Sequence, residues 1–132
     1  MQILQPPGWA HPRGFSNGIV AEGKQIFIAG QIGWTGEGKW EAKDFAGQIR
    51  QTLKNTLAVL AEAGGNPEHI VRMTWYILDK REYLGAIKGV GHAYRELMGR
   101  YYPAMAVVQV SGLIEDEARL EIETTAVIPE YA

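Results

Sequence analysis

The stretch Tyr101–Val127, YYPAMAVVQVSGLIEDEARLEIETTAV, gives the clearest indication of how this chain folds. It contains two runs, Met105–Ser111 and Arg119–Val127, on either side of a polar, acidic turn. In each run two kinds of side chain alternate with a period of two, which is typical of β-strands that have two different faces. We therefore predict that the two runs form a hairpin of adjacent strands.

The second of these strands has one apolar face and one charged face. The first face carries Leu120 and Ile122. The second carries Arg119, Glu121 and Glu123. A carboxylate that is buried without a partner is strongly destabilised relative to one in water. The charged face must therefore meet water, a ligand or another subunit.

The composition is that of a soluble globular chain, with 46% hydrophobic and 21% charged residues among 132. This length suits a single domain, which we take to span residues 1–132. No apolar run approaches the roughly 18–20 residues of a membrane span, and no signal-peptide pattern opens the chain. We expect a cytoplasmic protein without a membrane segment. The absence of cysteine is compatible with a reducing compartment and excludes disulfides and thiolate chemistry.

The charge pattern and the histidines narrow the range of partners. The net charge of −2 at pH 7, with both signs interspersed, gives no basic stripe for a phosphate backbone, so nucleic acid is a disfavoured partner. The three histidines, His11, His69 and His92, are scattered without the spacing of metal ligands. We therefore expect no metal site, and no motif indicates a cofactor.

The rest of the chain alternates strand-like and helix-like segments. Strands are predicted over Gln2–Gln5, Phe15–Ala21, Gln25–Ile32 and Ile70–Leu78. The second and third of these strands are expected to form a hairpin that turns at Glu22-Gly23-Lys24.

Two helices are predicted from capping residues and apolar spacing. The first follows Asp44 and extends to about Ala63, where Gly64-Gly65 ends it. The second has capping-box spacing at Asp79–Glu82 and continues to about Met98. The resulting order ββαβαββ predicts an α/β (α+β) fold, in which one sheet has two helices on one face.

Helices that cover one face of the sheet leave the other face exposed and mixed in character. This mixed face is expected to carry Arg72, Tyr76, Met105, Val107, Gln109, Glu121 and Glu123. Some of these side chains are too apolar for free solvation, and others are too polar for a dry core. An oligomer that stacks these faces together satisfies both sets, and the clefts between its subunits are natural ligand sites.

Several segments resemble one known family in their order and spacing. They are Phe27–Ile32, the helix Gln48–Leu60 with Ala63-Gly64-Gly65, the strand Ile70–Leu78 with Asp79, Tyr94, Tyr102-Pro103-Ala104, and Leu120–Glu123 with Ala126-Val127. On these residues the chain is similar to the RidA/YjgF/YER057c/UK114 family, also called endoribonuclease L-PSP-like. The resemblance implies a chorismate-mutase-like homotrimer with three sites in the clefts between subunits.

The resemblance also implies a chemistry, from which this chain departs. Typical members hydrolyse reactive enamines and imines such as 2-aminoacrylate, releasing ammonia and a 2-oxo acid. Their carboxylate-binding arginine corresponds to Met105, and a tyrosine corresponds to Phe15. A serine corresponds to Ala29, and a helix asparagine falls near Gly91. The chain thus resembles a divergent branch without the arginine, and we expect little or no hydrolysis of 2-aminoacrylate.

The resemblance leaves Glu121 as the expected catalytic residue, at the position of the carboxylate associated with the hydrolytic water. The alternative for Glu121 is an inter-subunit ion pair with Arg72 or Arg119. Arg13, in the loop before Phe15, could supply a replacement cation or be an ordinary solvated arginine. The expected ligand-binding residues are Phe15, Ala29, Gly30, Gln31, Trp34, Met105 and Gln109.

Several of these residues also have purely structural interpretations. Phe15 and Met105 could belong to the core of the trimer instead of a pocket wall. Gln31 could bond to the backbone at a sheet edge. Trp34, together with Trp40, could cover an edge of the core.

Three functions stay open at the level of the sequence. The first is a homotrimer that binds an enamine, imine or organic acid in each cleft and hydrolyses it with Glu121 and water. Its apolar lining favours a larger or aromatic-pathway substrate, of the aminomuconate type. The second is a non-enzymatic ligand-binding or regulatory trimer in which Glu121 is structural. The third is an endoribonuclease, which the acidic balance and the missing arginine disfavour.

Overall fold

The computed structural model describes residues 1–130 of the chain. It contains six strands and three α-helices, in the order β1 (Gln2–Leu4), β2 (Gly18–Val20), β3 (Lys24–Gln31), α1 (Phe45–Glu62), β4 (Ile70–Ile77), α2 (Lys80–Gly85), α3 (Ile87–Met98), β5 (Ala104–Gln109) and β6 (Leu120–Ile128). A short 3₁₀ turn, Pro67–His69, precedes β4. The predicted α/β class with one main sheet is confirmed.

The main sheet has four strands in the order β3-β6-β4-β5. Strand β6 is antiparallel to β3 and β4, whereas β4 and β5 are parallel. The predicted hairpin between Met105–Ser111 and Arg119–Val127 is therefore wrong, because β4 lies between the two strands. Parallel neighbours need a crossover connection, which α2 and α3 supply between β4 and β5. The ten residues 110–119 then carry the chain past the end of β4 to β6.

The predicted hairpin between Phe15–Ala21 and Gln25–Ile32 is also wrong. Strand β2 pairs with β1 in a separate two-stranded sheet, and β3 pairs with β6. Gly23 has a φ of +145° and packs so closely on the end of β6 that an added Cβ would lie 2.2 Å from the carbonyl oxygen of Ile128. The turn at Gly23 therefore directs β3 onto β6 and away from β2.

The two predicted helices form, and the second is divided. Asp44 caps α1 by accepting a hydrogen bond from the backbone N–H of Gly47, and Gly64, with a φ of +78°, follows its end. Asp79 caps α2 by accepting from the backbone N–H of Arg81. The predicted helix to Met98 is interrupted at Ala86, which ends α2 and precedes the first residue of α3.

The register of β4 and β5 corrects the face assigned to three residues. Met105 lies opposite Met73, and Val107 lies opposite Trp75. Both therefore face the helices and pack against the core, not the mixed face that the sequence predicted for them. The side chain of Gln109 accepts a hydrogen bond of 2.7 Å from the backbone N–H of Lys80, so it meets the start of α2.

The core lies between the sheet and the helices, and Gln48 forms a buried polar cross-link within it. Gln48 of α1 is 2% exposed. Its amide nitrogen donates to the carbonyl oxygen of Glu117 at 2.9 Å, and its amide oxygen accepts from the backbone N–H of Arg119 at 2.9 Å. These bonds attach the start of β6 to α1 and so help to set the register of the central strands.

We predict that Gln48→Leu lowers the free energy of unfolding by about 2–4 kcal/mol, because it leaves two backbone groups near β6 without partners. Urea unfolding followed by circular dichroism measures this difference. Gln51→Leu on the same helix is the matched control. Gln51 makes one side-chain hydrogen bond, to Asn55, and its substitution should change stability by about 0.5 kcal/mol or less. Equal stability of the two variants would contradict the cross-linking role of Gln48.

Candidate functional site

A cavity of about 510 Å³ lies on the helix side of the sheet, beside the edge strand β5. Strand β5 contributes Met105 and Val107 to its wall, and the neighbouring strand contributes Trp75. The helices contribute Tyr83, Ile87, Val90, Gly91, Tyr94 and Arg95. The loop before β2 contributes Arg13, Gly14 and Phe15, and Tyr102 completes the wall. Three distant parts of the sequence therefore enclose one space.

Ser16 anchors the loop that carries Phe15. Its backbone N–H donates to the carbonyl oxygen of Pro103 at 2.9 Å, and its hydroxyl donates to that of Tyr102 at 2.5 Å. Ser16 is buried, whereas Phe15 is 38% exposed at the rim of the cavity. The anchor thereby holds Phe15 and Met105 on the same wall, although 90 positions separate them.

The inner wall of the cavity is aromatic. The rings of Tyr94 and Tyr102 stack with centroids 5.4 Å apart, and Trp75 packs on Tyr94 at 6.4 Å. The hydroxyl of Tyr94 donates to the carbonyl oxygen of Tyr101 at 2.5 Å. Burial, with a smaller contribution from Tyr102, raises the pKa of Tyr94. The phenol therefore stays neutral at physiological pH and serves as a rigid wall, a surface suited to an apolar or aromatic ligand body.

Glu121 lies on the opposite face of the sheet from this cavity. It is half-buried on β6, where it is opposite Tyr76 of β4. Gly30 of β3 packs directly against it, since a Cβ at Gly30 would lie 2.2 Å from Oε2 of Glu121. Only a glycine leaves room for the carboxylate in this position. The structure thus brings Gly30 and Glu121 together, as neighbours on a surface and not in the cavity.

The face around Glu121 is polar and partly exposed. The hydroxyl of Tyr76 donates to Oε1 of Glu123 at 3.2 Å. Partial burial and the charge of Glu123 raise the pKa of Tyr76, with a smaller contribution from Glu121. Arg119, one candidate partner of Glu121, instead forms an ion pair with Glu82 of the same chain.

The other predicted ligand residues lie outside the cavity. Ala29 borders a shallow cleft on the polar face, beside Arg72 and Glu123. Gln31 and Trp34 border a third cleft, against α1. The amide of Gln31 donates to the carbonyl oxygen of Ala29 at 3.1 Å, so it makes the backbone contact that was its structural alternative. Trp34 packs on Trp40 with ring centroids 5.9 Å apart.

The sequence analysis missed Arg95 and the aromatic wall of the cavity. Arg95 is exposed on α3, one helical turn after Gly91, and both line the cavity. The signal available in the sequence was this spacing of four, since residues i and i+4 share a helix face. Tyr102 and Trp75 gave no such signal, because their strand and loop positions indicated only core packing.

Two further findings concern residues 1–130. No group of three or more histidine, aspartate or glutamate side chains in this part of the chain is arranged to hold a metal ion. No helix in the same residues is long and apolar enough to cross a membrane.

Residues 10–128 match the family model described as Endoribonuclease L-PSP. Because this match covers most of the chain, the protein belongs to the endoribonuclease L-PSP family, and the resemblance inferred from the sequence is confirmed. Among its relatives, the human 2-iminobutanoate/2-iminopropanoate deaminase is 29% identical over 128 residues. That match covers 96% of this chain and 88% of the human protein.

Solved structures show the same fold. A Rid family protein of unknown function from Yersinia pestis, YyfB, is 26% identical and superposes with a TM-score of 0.84 over 96% of this chain and 98% of that one. The TdcF protein of Escherichia coli with bound serine is 28% identical, with a TM-score of 0.69 over 97% and 99% of the two chains. At least one relative with this fold therefore binds a small amino acid.

Proposed function

We propose that the protein is a cytoplasmic homotrimer, with one domain per chain, that hydrolyses a small imine or enamine in clefts between its subunits. One observation carries this proposal. Phe15 and Met105 line an apolar cavity on the helix side of the sheet, whereas Glu121 lies on the other side.

A site that uses both surfaces must involve two chains. Side chains on a strand alternate between the two faces, so the sheet itself separates Met105 from Glu121 within one chain. If the polar face of one subunit lies against the cavity mouth of the next, Glu121 and the cavity meet the same ligand. The same contact would cover Phe27, which is 74% exposed beside Glu123 on the polar face.

The chemistry needs few groups from the protein. Water adds to the carbon of the C=N bond, and the resulting carbinolamine expels ammonia to leave a carbonyl product. In the proposed role the carboxylate of Glu121 takes a proton from the attacking water and returns it to the departing nitrogen. The relative described as a 2-iminobutanoate/2-iminopropanoate deaminase supports this reaction class.

The apolar wall supports a substrate larger than 2-aminoacrylate. A small polar substrate would need hydrogen-bonding groups in the cavity wall. Phe15 and Met105 instead offer only carbon and sulfur atoms there. A body of aromatic size fits the roughly 510 Å³ of space. Because neither Phe15 nor Met105 can transfer a proton, the same wall also favours the second candidate, a trimer that binds such a ligand without turnover.

We expect the protein to be a trimer in solution, because the polar face and the exposed Phe27 need a partner surface. Multi-angle light scattering at micromolar concentration should give three times the monomer mass of 14.6 kDa. The substitution Phe27→Asp should weaken the assembly, whereas Ile114→Asp, at a residue 94% exposed in the β5–β6 loop, should not. A monomer at all concentrations would remove the basis for a shared site.

We expect slow hydrolysis of 2-aminoacrylate and faster hydrolysis of imines with aromatic side chains. Phe15, Met105 and Tyr94 offer a small, polar substrate few contacts, whereas an aromatic side chain can pack on them. Both substrates can be generated in the assay mixture. A dehydratase makes 2-aminoacrylate from serine, and an amino-acid oxidase makes the aromatic imine from phenylalanine. Ammonia release, corrected for the reaction without the protein, measures each rate. Preference for 2-aminoacrylate would contradict the assignment of a larger substrate.

We expect Glu121→Gln to reduce turnover of any imine substrate by about 10²–10⁴-fold, because it keeps the shape of Glu121 and removes its proton-accepting group. Glu123→Gln, two residues along the same strand face, is the matched control and should stay within a few-fold of the parent. Light scattering must show that both variants assemble. Parent-like turnover by Glu121→Gln would exclude the catalytic role, and loss of assembly would favour the ion-pair role.

A further inference from the structure

The cavity described above is lined by two positive charges and no negative one. Arg13 enters from the loop before Phe15, and Arg95 enters from α3. The other lining side chains are apolar or aromatic, and no aspartate or glutamate is among them. This local charge contrasts with the net charge of −2 on the whole chain.

Neither arginine has an ion-pair partner within residues 1–130. The ion pairs in this part of the chain join Lys39 to Glu37, Arg50 to Glu96 and Arg119 to Glu82. The carboxylate of Glu96, although adjacent to Arg95 in sequence, binds the guanidinium of Arg50. The charges of Arg13 and Arg95 therefore remain available to an anion at the cavity.

Gly91 creates the space in which the guanidinium of Arg95 lies. A Cβ added to Gly91 would be 3.1 Å from Nη1 of Arg95, which is closer than ordinary van der Waals contact. The guanidinium thus lies against the helix surface one turn before its own Cα, at the cavity wall. A glycine in a helix interior is unfavourable by up to about 1 kcal/mol relative to alanine, so Gly91 is better explained by this packing than by helix stability.

We infer that Arg13 and Arg95 are the carboxylate-binding residues of this cavity, and that its ligand joins a carboxylate to an apolar or aromatic body. A guanidinium binds a carboxylate through two parallel charge-assisted hydrogen bonds. The ring surfaces of Phe15, Tyr94 and Tyr102 then receive the body of the ligand. The inference rests on the proposed function. It adds that the imine substrate carries a carboxylate, and that this carboxylate binds the two arginines while the body of the substrate meets the aromatic rings.

The test compares an acid with its neutral analogue. 3-Phenylpropionate and 3-phenylpropionamide have the same body, and isothermal titration calorimetry measures the affinity of each. We expect the acid to bind about tenfold more tightly or better. Arg13→Met and Arg95→Met should each remove much of this difference while leaving the affinity for the amide unchanged. Arg81→Met, an exposed arginine of α2 outside the cavity lining, is the control and should retain it.

The variant Gly91→Ala keeps the charge of Arg95 but changes the position of its guanidinium, so it tests whether that position matters for binding. This substitution should maintain or raise the melting temperature, because alanine favours the helix. It should also weaken binding of the acid, by less than Arg95→Met does, because the new methyl group would lie 3.1 Å from Nη1 of Arg95 and the guanidinium must shift by a few tenths of an ångström. A merely structural role for Gly91 would not produce this combination.

The outcomes distinguish this inference from the proposed function. Acid binding that is unaffected by either arginine substitution, or equal affinities for acid and amide, would overturn the inference and leave imine hydrolysis open. Arginine-dependent acid binding without turnover of any imine would support the inference and contradict hydrolysis. Failure of the acid to bind at millimolar concentration would overturn the inference directly.

Discussion

Strand β4 pairs with a different neighbour on each side, and these two pairings orient the side chains of the central sheet. On one side β4 is antiparallel to β6, with Trp75 opposite Ile122, and on the other it is parallel to β5, with Trp75 opposite Val107. A shift of one residue in either register would turn every side chain of the shifted strand to the other face. The register thus determines which groups meet the helices and which meet the outside of the sheet.

This register divides the chemistry of the chain between two surfaces. The cavity at β5 is apolar and aromatic, with Arg13 and Arg95 beside it, while the far face carries Tyr76, Glu121 and Glu123. Because the sheet lies between the two surfaces, Glu121 and the aromatic cavity cannot meet the same ligand within one chain. Assembly of subunits would place complementary halves together, and it would also cover polar and apolar groups that share the far face.

Glycines permit the close approaches that this arrangement needs. Gly23 lets the chain pass over the end of β6, Gly30 leaves room for the carboxylate of Glu121, and Gly91 leaves room for the guanidinium of Arg95. In each case a methyl group would meet another atom at 3.1 Å or less. The position of the Glu121 carboxylate therefore depends on a residue that has no functional group of its own, whereas a methyl group at Gly91 would shift the guanidinium of Arg95 by only a few tenths of an ångström.

The fold class, the positions of β4, β6 and α1, and the caps Asp44 and Asp79 could be predicted from the sequence, because periodicity and capping depend on neighbouring residues. The family could be predicted from the order and spacing of the matching segments. The sequence also indicated Phe15, Met105 and Glu121 as candidates. The three-dimensional structure was needed to show that β5 lies next to β4, that Met105 faces the helices, and that Arg13 and Arg95 line one cavity. These facts depend on strand order, and alternation gives a strand two faces without showing which neighbour it will have or which face the helices will cover.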